Sequence, residues 1–123
     1  MSQSLKILVV DDELLIRKAI TLSAKQRGHK TQSAENGTEG LKIWKEFKPD
    51  LVFLDVLMPD MDGFTVLNQV PENVRTKVIL ISAHDDLNQK EIENAGADLF
   101  VKKPFPDIFQ LIEKAENLVK NKN

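Results

Sequence analysis

Four short apolar runs and one more polar extended segment alternate with stretches whose apolar residues recur every three or four positions. The apolar runs are Ile7–Val10, Leu51–Leu54, Lys77–Ile81 and Asp98–Val101. The first three, without polar alternation, read as strands buried in a parallel sheet under helices, and Asp98–Val101 as a further short strand. His29–Ser33 is more polar and belongs at a sheet edge. Between the strands, Ile16, Ala19, Ile20, Ser23 and Ala24 share one helical face, with Gly28 as the natural C-cap. Asn36-Gly37 opens a helix over about Thr38–Phe47 that Lys48-Pro49 stops, with Trp44 as a partly buried packing residue. Phe64, Leu67 and Val70 give a short helix ending at Pro71. Asp86–Ala95 is a helix with thin apolar content, stopped by Gly96. The last helix, about Pro106–Lys120, buries Ile108, Ile112, Ala115 and Val119, which leaves Leu111 and Leu118 off that face as a partly exposed contact surface. Five alternations of strand and helix predict a doubly wound parallel α/β sandwich with right-handed crossovers.

Composition narrows the function classes. A chain of 123 residues is one domain with a single core, expected here over about residues 5–119. Charged content of 29% with a net charge of −2 and mixed signs disfavours a nucleic-acid or membrane surface. The absence of cysteine excludes a disulfide framework, thiolate metal sites and a cysteine nucleophile, and suits a reducing cytoplasm. The start, MSQSLKILVVDDE, has too short an apolar core for a signal peptide. No apolar stretch approaches the ~18 residues that span a membrane.

The chemistry lies at the strand ends. The first strand runs into Asp11-Asp12-Glu13, the third stops on Asp55, the fourth on Ser82 and the fifth on Lys102-Lys103. A single acid would serve as a helix cap at the positive end of the dipole; three in a row exceed that need. Parallel strands bring these ends to one rim, where open α/β sheets bind ligands. Neighbouring strands lie ~4.8 Å apart, so the acids can share one ion if the first and third strands are adjacent. Clustered carboxylates repel and raise each other's pKa; a hard divalent cation relieves that, and an all-oxygen site that keeps waters favours Mg²⁺. A lysine and a hydroxyl beside such a site make a place for a phosphoryl group. Residues on a strand point alternately to opposite faces, so this reading leaves Lys102 and Lys103 both open. His29 has no acidic or nucleophilic neighbour in the sequence and receives no role.

The pieces VVDDE (Val9–Glu13), FLDVLMPDMDG (Phe53–Gly63), LISA (Leu80–Ala83) and KKPF (Lys102–Phe105) stand in an order and spacing that resembles the receiver domain of two-component response regulators. The resemblance covers about Leu5–Val119. It implies a flavodoxin-like sheet of order 2-1-3-4-5, with Asp55 as phosphoacceptor. It also implies Asp12 as direct ligand of Mg²⁺ (or Mn²⁺), Asp11 acting largely through water, and the backbone carbonyl of Leu57 as a further ligand. Ser82 and Lys103 would grip the phosphoryl group, Phe100 would be the aromatic switch, and Lys102 would be solvated. Leu57 and His84 stand where the family tunes the lifetime of the phosphoryl group. Lys103-Pro104 is expected to be cis.

The implied partners are a sensor histidine kinase or a histidine phosphotransfer protein, and a downstream protein or a second copy meeting the face of the fourth helix, fifth strand and fifth helix. Such a domain catalyses only its own phosphorylation and dephosphorylation. The N-terminal Met and the short polar tail favour a stand-alone receiver. Two other classes fit less well. A haloacid-dehalogenase-type phosphatase would carry a second Asp two residues after Asp55, where this chain has Leu57. A nucleotide-binding module would carry a glycine-rich phosphate loop, and no G-x-G-x-x-G or G-x-x-x-x-G-K-[ST] follows any strand.

Overall fold

In the computed structural model, which describes residues 4–70, 75–84 and 86–121, each apolar run becomes a strand. The strands are β1 (Lys6–Val10), β2 (Lys30–Ala34), β3 (Leu51–Asp55), β4 (Lys77–Ser82) and β5 (Leu99–Lys102), alternating with α1 (Leu14–Gln26), α2 (Gly37–Phe47), α3 (Gly63–Asn68), α4 (Gln89–Ala95) and α5 (Ile108–Lys120). All strand pairs are parallel, in the order β2-β1-β3-β4-β5. This is the expected flavodoxin-like sheet, with the polar strand β2 at its edge.

Side chains alternate across the sheet and divide the core in two. Leu8, Val10, Val52, Leu54, Val78 and Leu80 face one layer, closed by α2, α3 and α4 through Leu41, Trp44, Val66 and Ile92. Ile7, Val9, Leu51, Phe53, Ile79 and Ile81 face the other, closed by α1 and α5 through Ile20, Ala24, Leu111, Ile112 and Ala115. β3 is buried along its whole length, as a central strand under two helical layers must be. No described helix is long and apolar enough to cross a membrane.

Several expectations shift. Ala19 is exposed, because the buried stripe of α1 is the narrower Ile20, Ser23 and Ala24. Trp44 is buried at 3% exposure, its indole N–H donating to the Thr76 hydroxyl at 3.2 Å. α4 starts at Gln89 and not at Asp86, since Asn88 and Glu91 form a reciprocal capping box that sets the N-terminus there. α3 ends at Asn68, with Gln69 as its C-cap, short of the expected end at Pro71, which itself lies outside the described residues. Leu111 is not a surface residue: at 2% exposure it belongs to the core, and Leu118 is half-buried against the same layer. The apolar face of α5 is wide enough to include both, and Phe109, 54% exposed, is the residue left outside.

His29 corrects the sequence reading most directly. It is buried at 5% exposure, and its Nδ1 accepts from the Leu5 backbone N–H at 3.0 Å. Nε2 lies 2.6 Å from Glu116 on α5, so Nε2 carries the proton and the ring is a neutral donor. Arg27 adds a two-pronged contact to the same carboxylate, which these partners, Arg27 foremost, hold below its ordinary pKa. This polar strut joins the end of α1, the start of β1 and α5, on the side of the sheet away from the acidic strand ends.

Candidate functional site

β1 and β3 are adjacent, with Val10 paired to Leu54, so Asp11 and Asp55 leave neighbouring strands at the same level. Each acid is fixed by its own backbone surroundings. The Asp11 N–H donates to the Ala34 carbonyl at 3.1 Å, and Asp11 Oδ1 accepts the Glu13 N–H at 2.9 Å. Beyond Asp55, the Val56 N–H donates to Ile81 O at 3.0 Å and the Gly63 N–H returns to Val56 O at 2.8 Å. Gly63 is required here: a Cβ would stand 2.7 Å from the Asp55 carbonyl oxygen. Asp11 and Asp55 are buried; Asp12 is exposed at the mouth. One oxygen from each of Asp11, Asp12 and Asp55 fits within a 4.8 Å cluster.

Lys103 enters this cluster from the loop after β5, where its N–H donates to Ser82 O at 2.9 Å and the Lys103-Pro104 bond is cis. Its Nζ lies 2.8 Å from Asp11 Oδ2, 2.8 Å from Glu13 Oε1 and 3.5 Å from Asp55 Oδ2. Lys102 points out and pairs with Asp86 on the surface at 2.9 Å, as expected of a solvated lysine. Of the two lysines, Lys103 is the one at the acids. Ser82 is fully buried at the end of β4, its hydroxyl accepting the His84 N–H at 3.1 Å. Leu57 and His84 line the cleft of about 340 Å³ over Asp55, together with Asp12, Pro59 and Lys103. Phe100 lies outside the cleft, half-buried on β5 against the layer that holds α4. Glu13, in the sequence one member of an acidic run, holds Lys103 across 90 residues of sequence.

Residues 7–116 match the model of the response regulator receiver domain. The chain belongs to this family. Among receiver domains of known structure, one from Methanospirillum hungatei superposes with a TM-score of 0.86 at 27% identity, covering 96% of this chain and 95% of that one. The receiver domain of Francisella response regulator 1452 does so at 0.83 with 32% identity, covering 95% and 98%. The transcriptional regulatory protein AfsQ1 of Streptomyces coelicolor is 37% identical over 99 residues, which is 80% of this chain and 44% of that protein. ResD of Bacillus subtilis is 37% identical over 101 residues, 81% of this chain and 42% of its own length. This receiver domain thus spans less than half the length of those regulators.

The electrostatics of the receiver site favour a cation. Burial, then the nearby Asp11 charge, pushes Asp55 up to about 7, with Lys103 opposing. Burial also raises Asp11, against the Lys103 contact. Burial alone would lower Lys103, but its contacts with Asp11 and Glu13 outweigh that and hold it above its ordinary value. One ammonium therefore under-compensates the acids around it. Asp11 Oδ2, although close to Lys103, lacks a well-directed hydrogen bond. Three carboxylates, one with a buried oxygen to spare, fit a hard metal ion.

A pH dependence follows with a definite sign. Without metal, folded Asp55 keeps a proton up to about pH 7 that the unfolded chain releases near 3.8. The stability it contributes is present below pH ~4 and lost as pH rises through about 7. The loss should be on the order of 1–2 kcal/mol. Thermal unfolding in chelator at pH 5 and pH 8 should show Asp55→Asn losing less stability than the wild type across that interval. Equal losses would refute the assignment of this titration to Asp55.

Proposed function

We propose that this receiver domain takes a phosphoryl group from a phosphohistidine onto Asp55 and thereby alters a protein-binding surface formed by α4, β5 and α5. The observation that carries the reading is Lys103 against Asp11 and Asp55, which cluster with Asp12 at the carboxyl ends of the strands. Receiver domains partner with histidine kinases, and the donor here would be a sensor histidine kinase or a histidine phosphotransfer protein. An Asp55 oxygen attacks phosphorus in line as the P–N bond breaks. The electron pair returns to the imidazole nitrogen. Water later attacks the phosphorus of the acyl phosphate, releasing phosphate and restoring the carboxylate. We take residues 1–123 as one such unit, with its core at about 5–119.

Each side chain has a role in that exchange. Asp12, Asp55, Asp11 and the Leu57 carbonyl would hold Mg²⁺ (or Mn²⁺), which supplies positive charge to the phosphoryl oxygens. Lys103 is close enough to shift from Glu13 towards the same oxygens. Ser82 would turn its hydroxyl to them. Leu57, 56% exposed over the cleft, and His84 would govern how easily water reaches the phosphorus.

A movement of Ser82 would be felt next door. Ser82 is paired with Lys102 on β5, and Phe100 lies two residues before it. α4 is the helix easiest to move, since Ile92 is its one buried residue. A downstream protein, or a second copy in a phosphorylation-dependent dimer, would read the altered face. Amide chemical shifts with and without beryllofluoride, which stands in for the phosphoryl group, should change at Asp55, Phe100 and α4 in the wild type. In Ser82→Ala the changes should stay near Asp55. Wild-type changes that never reach Phe100 or α4 would place the switch elsewhere.

A further inference from the structure

The loop between Asp55 and α3 forms one wall of the acidic cleft, through Leu57 and Pro59. The residue after Pro59 is tied to a different element. Asp60 Oδ1 accepts the Gly37 N–H at 3.0 Å, and Oδ2 accepts both the Thr38 N–H at 3.0 Å and the Thr38 hydroxyl at 2.8 Å. Gly37 and Thr38 are the first two residues of α2, whose N–H groups have no partner within the helix. The helix has its own cap besides: Asn36 accepts the Glu39 N–H at 2.8 Å. Asp60 therefore fills donors that the local cap leaves open, from a loop 22 residues away in sequence. The Gly37 N–H, more than any other contact, holds its carboxyl below the ordinary value, so it is ionised and faces the positive end of α2.

Packing repeats the link. A Cβ on Gly37 would meet Met61 Cγ at 3.1 Å and Val66 Cγ2 at 3.0 Å. The missing side chain is what lets the loop and α3 lie directly against the start of α2. The wall of the cleft is thus pinned by charge at Asp60 and by close contact at Met61.

We propose that Asp60 is a positioning residue for the acidic cleft, holding the Leu57–Met61 wall against the α2 N-terminus and so setting the affinity of the cleft for a divalent cation. The inference rests on the reading that Asp11, Asp12 and Asp55 take such a cation. Partners behind metal ligands typically change affinity 10–100-fold. Asp60 is exposed and acts through the wall, so Asp60→Ala should weaken Mg²⁺ binding by roughly three- to tenfold in the unphosphorylated protein. Asp60→Asn keeps one acceptor oxygen and should fall between.

Calorimetric Mg²⁺ titration of the wild type, Asp60→Ala, Asp60→Asn, Asn36→Ala and Asp55→Asn tests this, with a melting temperature for each. Asn36→Ala removes a cap from the same helix end without touching the loop. It should lower the melting temperature and leave Mg²⁺ affinity at the wild-type level. Labelling by acetyl phosphate should slow in Asp60→Ala at limiting Mg²⁺ and recover at saturating Mg²⁺. Unchanged affinity in Asp60→Ala beside a weakened Asp55→Asn overturns the clamp alone. Equal weakening in Asn36→Ala reduces it to general helix stability and overturns it too. Affinity unchanged by Asp55→Asn overturns the cation reading beneath it.

Discussion

Asp55→Asn should take up no phosphoryl group under conditions where acetyl phosphate and Mg²⁺ label the wild type with one. The substitution keeps the shape of the side chain and its place at the end of β3, so the fold has no reason to change. It replaces an anionic oxygen nucleophile by an amide, whose oxygen is a far weaker nucleophile. Loss should therefore be complete, not partial. The same change removes one of the repelling charges, and the metal-free protein should become more stable near neutral pH even as it becomes inert. Gain of stability with loss of labelling separates a chemical role for Asp55 from a structural one. A stabilised variant that still labels stoichiometrically would move the acceptor to another residue.

Lys103→Met should destabilise the metal-free protein by about 2–4 kcal/mol, because removing one partner of a buried ionic cluster leaves its counter-charges without compensation. Lys103 is 8% exposed and stands within 3.5 Å of three carboxylates, so little else is near enough to replace it. The sign of the Mg²⁺ response identifies the cause. A dication among Asp11, Asp12 and Asp55 supplies the missing charge, and binding to the folded state alone adds stability by mass action. Urea unfolding with and without Mg²⁺ should show a larger gain for Lys103→Met than for the wild type. The variant should bind the cation more tightly and still label poorly. An equal Mg²⁺ gain in the two proteins would mean that Lys103 and the cation do not share the same acids.

The architecture was written in local patterns. β1, β3 and β4 are apolar runs that a covered parallel sheet buries, while β2 and β5 are its two edges, β2 mostly exposed and β5 half-buried. Helix boundaries were less legible where capping decided them. The Asn88-x-x-Glu91 pattern that starts α4 was present in the sequence, but the thin apolar content of the segment hid it. The buried face of α5 is broader than the single stripe Ile108, Ile112, Ala115 and Val119, since the helix lies against both the sheet and α1 and buries Leu111 as well.

The acids, Ser82 and a lysine at the end of β5 were legible because strand ends of a parallel sheet converge whatever the loops do. Their partners from distant sequence were not. His29 meets Glu116 across 87 residues, Lys103 meets Glu13 across 90, and Asp60 meets Gly37 across 23. These contacts depend on how helices and loops pack over the sheet, and no periodicity encodes them. Lys102 and Lys103 could be told apart only by the resemblance, until the turn after β5 sent one to solvent and the other to the acids.

The central claim, that Asp55 receives a phosphoryl group from a nitrogen donor, is tested most directly by phosphoramidate, a small donor with the same P–N bond as phosphohistidine. The wild type would be incubated with it and Mg²⁺, and the modified residue located by tandem mass spectrometry. The account predicts one Mg²⁺-dependent phosphoryl group within Leu51–Gly63, on Asp55, lost on mild alkaline treatment as an acyl phosphate should be. A phosphoryl group on any other residue, or none at Asp55 with the cation present, would contradict it.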